Sequence, residues 1–541
     1  MFSNKENVNI LTALLSKHGV HHAVVCPGSR NAPIVHNLNE CENITCHPVT
    51  DERSAGFYAL GMARAIGSYS REPVAVCVTS GSALLNLLPA VAEAYYQHLP
   101  LVVISADRPP QWIGQQDGQT IPQPDALGRF VKKAVSLPEP RDKEERWYCN
   151  RLVNEALIAT CKHGGGPVHI NVPISEPLYE FTAAQLPRER VVKARIRQEL
   201  DAESVAELVG RLAEAQRPLV VIGQMGSTDL ANMGYTTPDG KGFVLCEPLS
   251  QKHSDGLDEL MAVVESDERF VPDFVLYLGG HIVSKRLKQF LRRLGDVEMW
   301  QVSSDGEVCD TFMHVGYVME GALTIGNHVL RSPDGTEGNY YRLWADAYEQ
   351  VKRQLREQPL AYSAEAVVRR FEQQLDKRDD TVFTHYANST AVRLGCRYSQ
   401  RYVCCNRGVN GIEGTLSTAA GFSLTCDLPV FCVIGDLSFF YDSNALWNAE
   451  LRGNLRIMML NNGGGEIFKK FHALQQSAAR GMIIGEHQTS AEDICRQYRV
   501  DYRRARNMHE AEEGLDWLMK GGGDKLPESE LGRPMLLEVM L

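Results

Sequence analysis

Short apolar strands alternate with amphipathic helical stretches in three successive blocks of the chain. Such alternation packs in one economical way: the strands bury both faces in a parallel sheet and the intervening helices cover those faces. The first block holds expected strands at 22–26, 74–79, 101–105 and 168–172, and the second at 218–222, 243–245, 274–278 and 297–302. The third holds strands at 429–434 and 455–460. The reading is α/β, with three doubly wound parallel-sheet domains at 1–182, 183–355 and 356–541. The charged, strandless segment 181–197 reads as a linker, and a polar helical stretch over 354–380 leads into the third block.

A chain of 541 residues exceeds what one hydrophobic core usually supports, which agrees with several domains. Net charge is −11 and no basic run is long enough to track a phosphate backbone, so nucleic acid is not an expected partner. The 14 cysteines are scattered, several of them inside strands (Cys26, Cys77, Cys246, Cys432), and no C-x-x-C pair occurs. They read as buried, reduced thiols of a cytoplasmic protein. The amino terminus lacks the apolar core of a signal peptide, and no apolar run reaches membrane-spanning length, so no membrane partner is expected.

Open α/β sheets bind ligands outside the carboxyl ends of their strands. In the third block one strand delivers Gly435 and Asp436 to that edge, followed by Leu437 and Ser438; another delivers Asn461 and Asn462, followed by Gly463, Gly464 and Gly465. A carboxylate and an amide offer hard oxygens suited to Mg²⁺, which keeps part of its shell for substrate phosphates. Bare glycine amides let a diphosphate approach closely. Asp and Asn are common at strand ends and turns in any case. Three glycines beside them, which lose entropy on ordering, favour a site for a metal-bridged diphosphate.

Other features read more plainly. The Gly223-Gln-Met-Gly226 turn is a simple turn former rather than a cofactor cradle. Asp51 and Glu52, taken alone, are acids at a helix start, favoured by the helix dipole. His21 and His22 precede a strand and no histidine pair has zinc-ligand spacing, so no histidine is assigned to metal.

The run Gly435-Asp436-Leu437-Ser438 through Asn461-Asn462 resembles the metal-binding signature of thiamine diphosphate enzymes, with Leu437 where the commonest form has a second glycine. The resemblance implies the fold of that class, and a cation (Mg²⁺ or Mn²⁺) held by Asp436, the Asn462 side chain and the Gly464 carbonyl. It also implies a catalytic carboxylate from another domain, usually of the neighbouring subunit, bonded to the aminopyrimidine ring. Glu52 takes that part.

Further blocks narrow the resemblance: Cys26-Pro-Gly-Ser-Arg-Asn-Ala-Pro33, Thr79-Ser-Gly-Ser-Ala83, Ser105-Ala-Asp-Arg-Pro109, Asn388-Ser-Thr-Ala-Val-Arg393, Asn406-Arg-Gly-Val-Asn-Gly-Ile-Glu-Gly414 and Glu466-Ile-Phe468. Together they are similar to the 2-succinyl-5-enolpyruvyl-6-hydroxy-3-cyclohexene-1-carboxylate synthase family of menaquinone biosynthesis. The central block matches only around Ser284-Lys-Arg-Leu287, and Asn31 stands where the family has serine. The implied activity is that of a transferase which decarboxylates 2-oxoglutarate and adds the succinyl carbanion equivalent to isochorismate. Another thiamine diphosphate-dependent 2-oxoacid decarboxylase or carboligase is the alternative.

By motif position, the implied substrate contacts are Ser29, Arg30, Arg108, Gln119, Lys285, Asn388, Ser389, Arg393 and Arg407. Arginine forks suit the paired carboxylates of both substrates. The implied cofactor contacts are Glu52, Ile412, Gly435, Asp436, Leu437, Ser438, Asn462, Gly464, Ile467 and Phe468. Because pyrimidine and diphosphate sites fall on different domains, the resemblance implies a homodimer or dimer of dimers with shared active sites.

Overall fold

A computed structural model describes residues 1–67, 72–196, 200–225, 242–250, 256–321, 338–465, 472–520 and 532–541. It holds three all-parallel sheets. The first contains β1 (His22–Val25), β2 (Thr45–Pro48), β3 (Val74–Val78), β4 (Leu101–Asp107), β5 (Lys133–Ser136) and β6 (Val168–Pro173), in the order β2-β1-β3-β4-β6-β5. The second contains β7 (Pro218–Ile222), β8 (Phe243–Cys246), β9 (Phe274–Leu278), β10 (Glu298–Ser303) and β11 (Val315–Glu320), ordered β11-β10-β9-β7-β8. The third contains β12 (Phe383–Tyr386), β13 (Val403–Cys404), β14 (Val430–Gly435), β15 (Leu455–Asn461), β16 (Asp501–Ala505) and β17 (Met535–Met540), ordered β13-β12-β14-β15-β17-β16.

Each sheet reverses its strand order beside its first strand, and such a reversal opens a crevice at the carboxyl edge. In the first sheet the crevice lies between the loops after β1 and β3. In the third it lies between the loops after β12 and β14, where Asn388 and Asp436 sit. The second sheet closes its own crevice with backbone: a methyl group placed on Gly223 would stand 2.0 Å from the Gly280 carbonyl oxygen. Gly223 thus packs directly against Gly280; Gly226, with the rest of 226–241, lies outside the described residues.

Strands β3, β4, β7 and β9 are buried throughout, as expected when both faces of a sheet are covered. Alternate residues serve different cores. Val24, Val76 and Val103 face a cluster that continues into the third sheet, whereas Ala23, Cys77 and Ile104 face one private to the first domain. The shared core is closed by two crossing helices, Glu52–Gly67 and Thr415–Leu424. A methyl on Gly61 would lie 2.0 Å from the Thr418 oxygen, and one on Gly421 would lie 2.1 Å from the Tyr58 oxygen. The backbones touch, and only glycine permits the crossing. Gly421→Ala is expected to cost at least about 1–3 kcal/mol, seen as a lower urea midpoint. Gly210→Ala, on an open helix face, is expected to be neutral or stabilising.

Two expectations need correction or completion. The stretch 354–380 is not one helix: Asn339–Glu357 ends before Pro359, and a new helix, Ala364–Leu375, starts where the Ser363 hydroxyl accepts the Ala366 amide. Proline cannot continue a helix and biases the residue before it to extended backbone. The described part of the linker carries only the isolated bridge Phe2–Ala183, and its Leu186 and Val191 pack on the first domain. All 14 cysteines are free thiols, but the expected burial fails at Cys309, which is exposed, and is partial at Cys46, Cys161 and Cys426. Among the described residues no helix is long and apolar enough to cross a membrane.

Candidate active site

β14 and β15 are neighbours in register, with Gly435 opposite Leu460, so Asp436 and the Asn461-Asn462 pair leave the sheet side by side. Asp436 opens the helix Asp436–Tyr441 and is 3% exposed. Its Oδ1 accepts the Leu437 amide at 2.6 Å, and its Oδ2 accepts the amides of Asn462 and Gly464, each at 3.0 Å. Three backbone amides thus fix the position of the carboxylate at the strand end. The two asparagines divide their work. Asn461 turns inward, donating to Glu538 at 2.7 Å and to the Thr489 carbonyl at 2.9 Å, and accepting the Gly463 amide. Asn462 gives its backbone amide to Asp436.

The glycines behave as a cradle should. Gly463 and Gly464 have φ of +72° and +146°, and a methyl on Gly464 would press the Ile484 side chain at 3.0 Å. Gly435 faces open space. One carboxylate, one amide oxygen and one carbonyl at this edge are hard donors of the kind Mg²⁺ takes, so the residues present fit such an ion. His487 was not among the expected residues. Its Nδ1 accepts the Thr489 amide, which places the ring proton on Nε2, 3.4 Å from Asp436 Oδ2.

The opposite wall is the segment after β13. Asn388, 6% exposed, donates to the carbonyls of Asn406 (2.6 Å) and Gly411 (2.7 Å) and accepts from Arg407 at 3.0 Å. It thus shapes the loop that carries Arg407 and Ile412. Ser389 follows with φ 72°, a left-handed conformation costly for a serine. The Ser438 hydroxyl donates to the Ile412 carbonyl, tying that loop to the Asp436 helix. Ile412 is 42% exposed, an unusual state for an isoleucine between two such anchors.

The central domain reaches this wall from the other side. Gln224 donates to the Cys405 carbonyl at 2.8 Å, and Lys285 stands exposed at the start of the helix Lys285–Arg292. Burial, aided by Arg407 and Lys288, lowers His281 to about 4. Lys288 is itself lowered, by burial first and then by Arg407. Burial raises Glu247 to about 7 against the pull of the Val283 and Ser284 amides, both at 2.6 Å. Burial is the main cause of all three shifts; Arg407 adds to it at His281 and Lys288 and opposes it at Glu247.

In the first domain the expected residues are more dispersed. Ser29 is exposed after β1. Arg30 is not open: it is 5% exposed, donates to the Ile174 carbonyl and pairs with Glu176, both at 2.9 Å. Arg108 pairs with Asp117 and donates to the Gly118 carbonyl, which orders the loop where exposed Gln119 has φ 56°. Glu52 accepts from Asn86 at 3.2 Å. Its neighbours Arg53 and Tyr58 bond to the carbonyls of Tyr441 and Ala445, and Asp51 bonds to Asn444. No described contact joins Glu52 to Asp436, Asn462 or Gly464. Ile467 and Phe468 lie outside the described residues.

Three parallel-sheet α/β domains, with a glycine-rich turn beside Asp436 at the carboxyl edge of the third, fit the fold of the thiamine diphosphate enzymes. Residues 6–127 match the model of the thiamine pyrophosphate enzyme N-terminal binding domain, and residues 386–527 that of the C-terminal binding domain. A Mycobacterium smegmatis protein assigned to the thiamin diphosphate-dependent enzymes superposes with a TM-score of 0.71 over 99% of both chains at 16% identity, a likeness of fold. The 2-succinyl-5-enolpyruvyl-6-hydroxy-3-cyclohexene-1-carboxylate synthases of Phocaeicola vulgatus and Bacteroides thetaiotaomicron are each 43% identical, over 100% of this chain and 96% of theirs. That of Desulfotalea psychrophila is 33% identical over 92% of this chain and 93% of its own. The chain belongs to the 2-succinyl-5-enolpyruvyl-6-hydroxy-3-cyclohexene-1-carboxylate synthase family.

Proposed function

We propose that Asp436, the Asn462 amide oxygen and the Gly464 carbonyl hold a divalent cation, Mg²⁺ or Mn²⁺, which fixes the diphosphate of thiamine diphosphate. The reaction is that of the family: decarboxylation of 2-oxoglutarate and addition of the succinyl unit to isochorismate. When bound, thiamine diphosphate supplies the nucleophilic carbon and the electron sink. The chain's own residues bind, orient and hold protons. Glu52 would hold the aminopyrimidine of the bound cofactor by a hydrogen bond and so would set where the proton of that ring sits. Arg393, Arg407 and Lys285 take substrate carboxylates, and Asn388 holds Arg407 at a fixed angle. Ile412, exposed on the same loop, would support the bound cofactor. The observation that carries this reading is the approach of Asp436 Oδ2 to 3.0 Å from the amides of both Asn462 and Gly464.

Within the domain limits 1–182, 183–355 and 356–541, Glu52 and the cation site belong to different domains. In the thiamine diphosphate enzymes that carboxylate usually comes from the neighbouring subunit, which favours a site built by two copies, in a homodimer or dimer of dimers. Exposed apolar side chains beside both halves, Leu85, Tyr441, Trp447 and Met482, give such a pairing something to bury. The setting is cytoplasmic, with small-molecule substrates only.

The reading is tested by incubating the purified protein with thiamine diphosphate, Mg²⁺, 2-oxoglutarate and isochorismate and following carbon dioxide and the coupled product. Release of carbon dioxide that does not depend on isochorismate, with no coupled product, would favour a simple decarboxylase. Removal of divalent metal with a chelator is expected to abolish thiamine diphosphate binding in calorimetry, and either Mg²⁺ or Mn²⁺ is expected to restore it.

A further inference from the structure

Glu93 lies in the first domain on the helix Leu88–Tyr96, is 2% exposed, and has no part in the chemistry above. Its two carboxylate oxygens reach into the third domain. One accepts the Gly408 amide and the other the Val409 amide, each at 2.7 Å. The loop lies flush on the helix: a methyl on Gly408 would stand 2.8 Å from the Glu93 carbonyl oxygen and 3.0 Å from Tyr96 Cβ. Successive backbone amides form an anion-binding nest, and here the anion is a side chain of a distant domain.

A buried carboxylate is costly unless its acceptor positions are well used. Burial pushes the Glu93 carboxyl up, and the Val409 and Gly408 amides, Gln97 and Arg64 oppose that push. The two amides it holds are the ones just after Arg407 and three residues before Ile412. Arg64, also from the first domain, donates to the Cys405 carbonyl at 3.2 Å on the near side of Arg407. The loop bearing both residues is therefore gripped from the first domain at two points, while Asn388 and Ser438 hold it from within its own domain.

We infer that Glu93 is a positioning residue which straps the 405–412 loop to the first domain and sets the orientation of Arg407 toward substrate carboxylate. The inference rests on the proposed role of Arg407. Glu93→Gln keeps the size of the side chain but sets an amide N–H₂ against one of the two backbone N–H donors.

The test uses the intact enzyme with three readouts: hydrogen exchange over 405–412, KM against kcat for both substrates, and thiamine diphosphate affinity with Mg²⁺. Glu93→Gln is expected to speed exchange at Gly408 and Val409. It should raise KM for one substrate by about tenfold or more, in line with loss of a charge-assisted bond, and keep cofactor affinity within about threefold. In an Arg407→Ala background the same change should add little to that KM, because it acts through Arg407. Unchanged exchange, or a lower melting temperature with both KM values unaltered, would overturn the strap. If Arg407→Ala alone left both KM values unchanged, the assignment of Arg407 would fail while the exchange result still judged the strap. Should Glu93→Gln not fold, Gly408→Ala, which lifts the loop from the same helix face, carries the same readouts.

Discussion

Asp436→Ala is expected to abolish turnover and the metal-dependent binding of thiamine diphosphate. Even partners one layer behind a metal ligand typically contribute roughly 10–100-fold to affinity or activity, so loss of the ligand itself should exceed ~100-fold. The geometry sharpens the expectation. Asp436 Oδ2 organises the amides of Asn462 and Gly464, so its removal costs a ligand and loosens the cradle that presents the other two. Asp436→Asn separates these effects: its side-chain oxygen can still accept amides, while the charge that attracts the cation is gone. Titration calorimetry with thiamine diphosphate and Mg²⁺ should show no binding for Ala and severely weakened binding for Asn. Near-normal affinity in either variant would remove Asp436 from the site.

Glu52→Gln should lower kcat by ~10²–10⁴-fold, the range general acid–base groups usually contribute, with cofactor affinity nearly unchanged. The two variants thus fail differently: one loses the anchor, the other keeps the anchor and loses the proton chemistry. Glu52 sits at a helix start fixed by the Gly61–Gly421 crossing and by Arg53 and Tyr58, so the substitution leaves the fold intact. Mixing inactive Glu52→Gln with inactive Asp436→Ala subunits should restore part of the activity, because half of the mixed sites would carry both native residues. Failure to regain activity after confirmed subunit exchange would place both residues on one chain's site.

How much of this was legible beforehand follows the physics of each element. Both strands that lead to the proposed cation site were read to within a residue, since β14 is an apolar run that stops at Gly435 and β15 is one, broken only by Arg456, that stops at Asn461. Strands β5 and β16 escaped because they are edge strands, partly exposed and laced with Lys, Arg, Asp and Tyr, so no apolar run marks them. The break near Pro359 carried a visible signal, a proline inside a helical pattern.

Side-chain fates were harder. Arg30 stands within a legible motif, yet its partner Glu176 is remote in sequence and nothing local announces the pair. Glu93 did leave a trace, as the lone acid in the apolar helix Leu88–Tyr96, where a charge on every face must meet a partner or protonate. His487 left none, since its proximity to Asp436 arises from the turn that returns the chain to Gly463. The joint work of Glu93, Arg64, Gln224 and Asn388 on one loop is a property of domain packing, and periodicity within any one segment does not encode it.

The central claim is that two neighbouring strand ends share one cation under the cofactor's diphosphate. The most direct measurement is a crystal structure of the protein with thiamine diphosphate and Mg²⁺. The account predicts one ion with an Asp436 carboxylate oxygen, the Asn462 amide oxygen and the Gly464 carbonyl at about 2.0–2.1 Å, its remaining positions completed by diphosphate oxygens and water. An ion bound elsewhere, or a diphosphate seated without contact to Asp436 and Asn462, would contradict it.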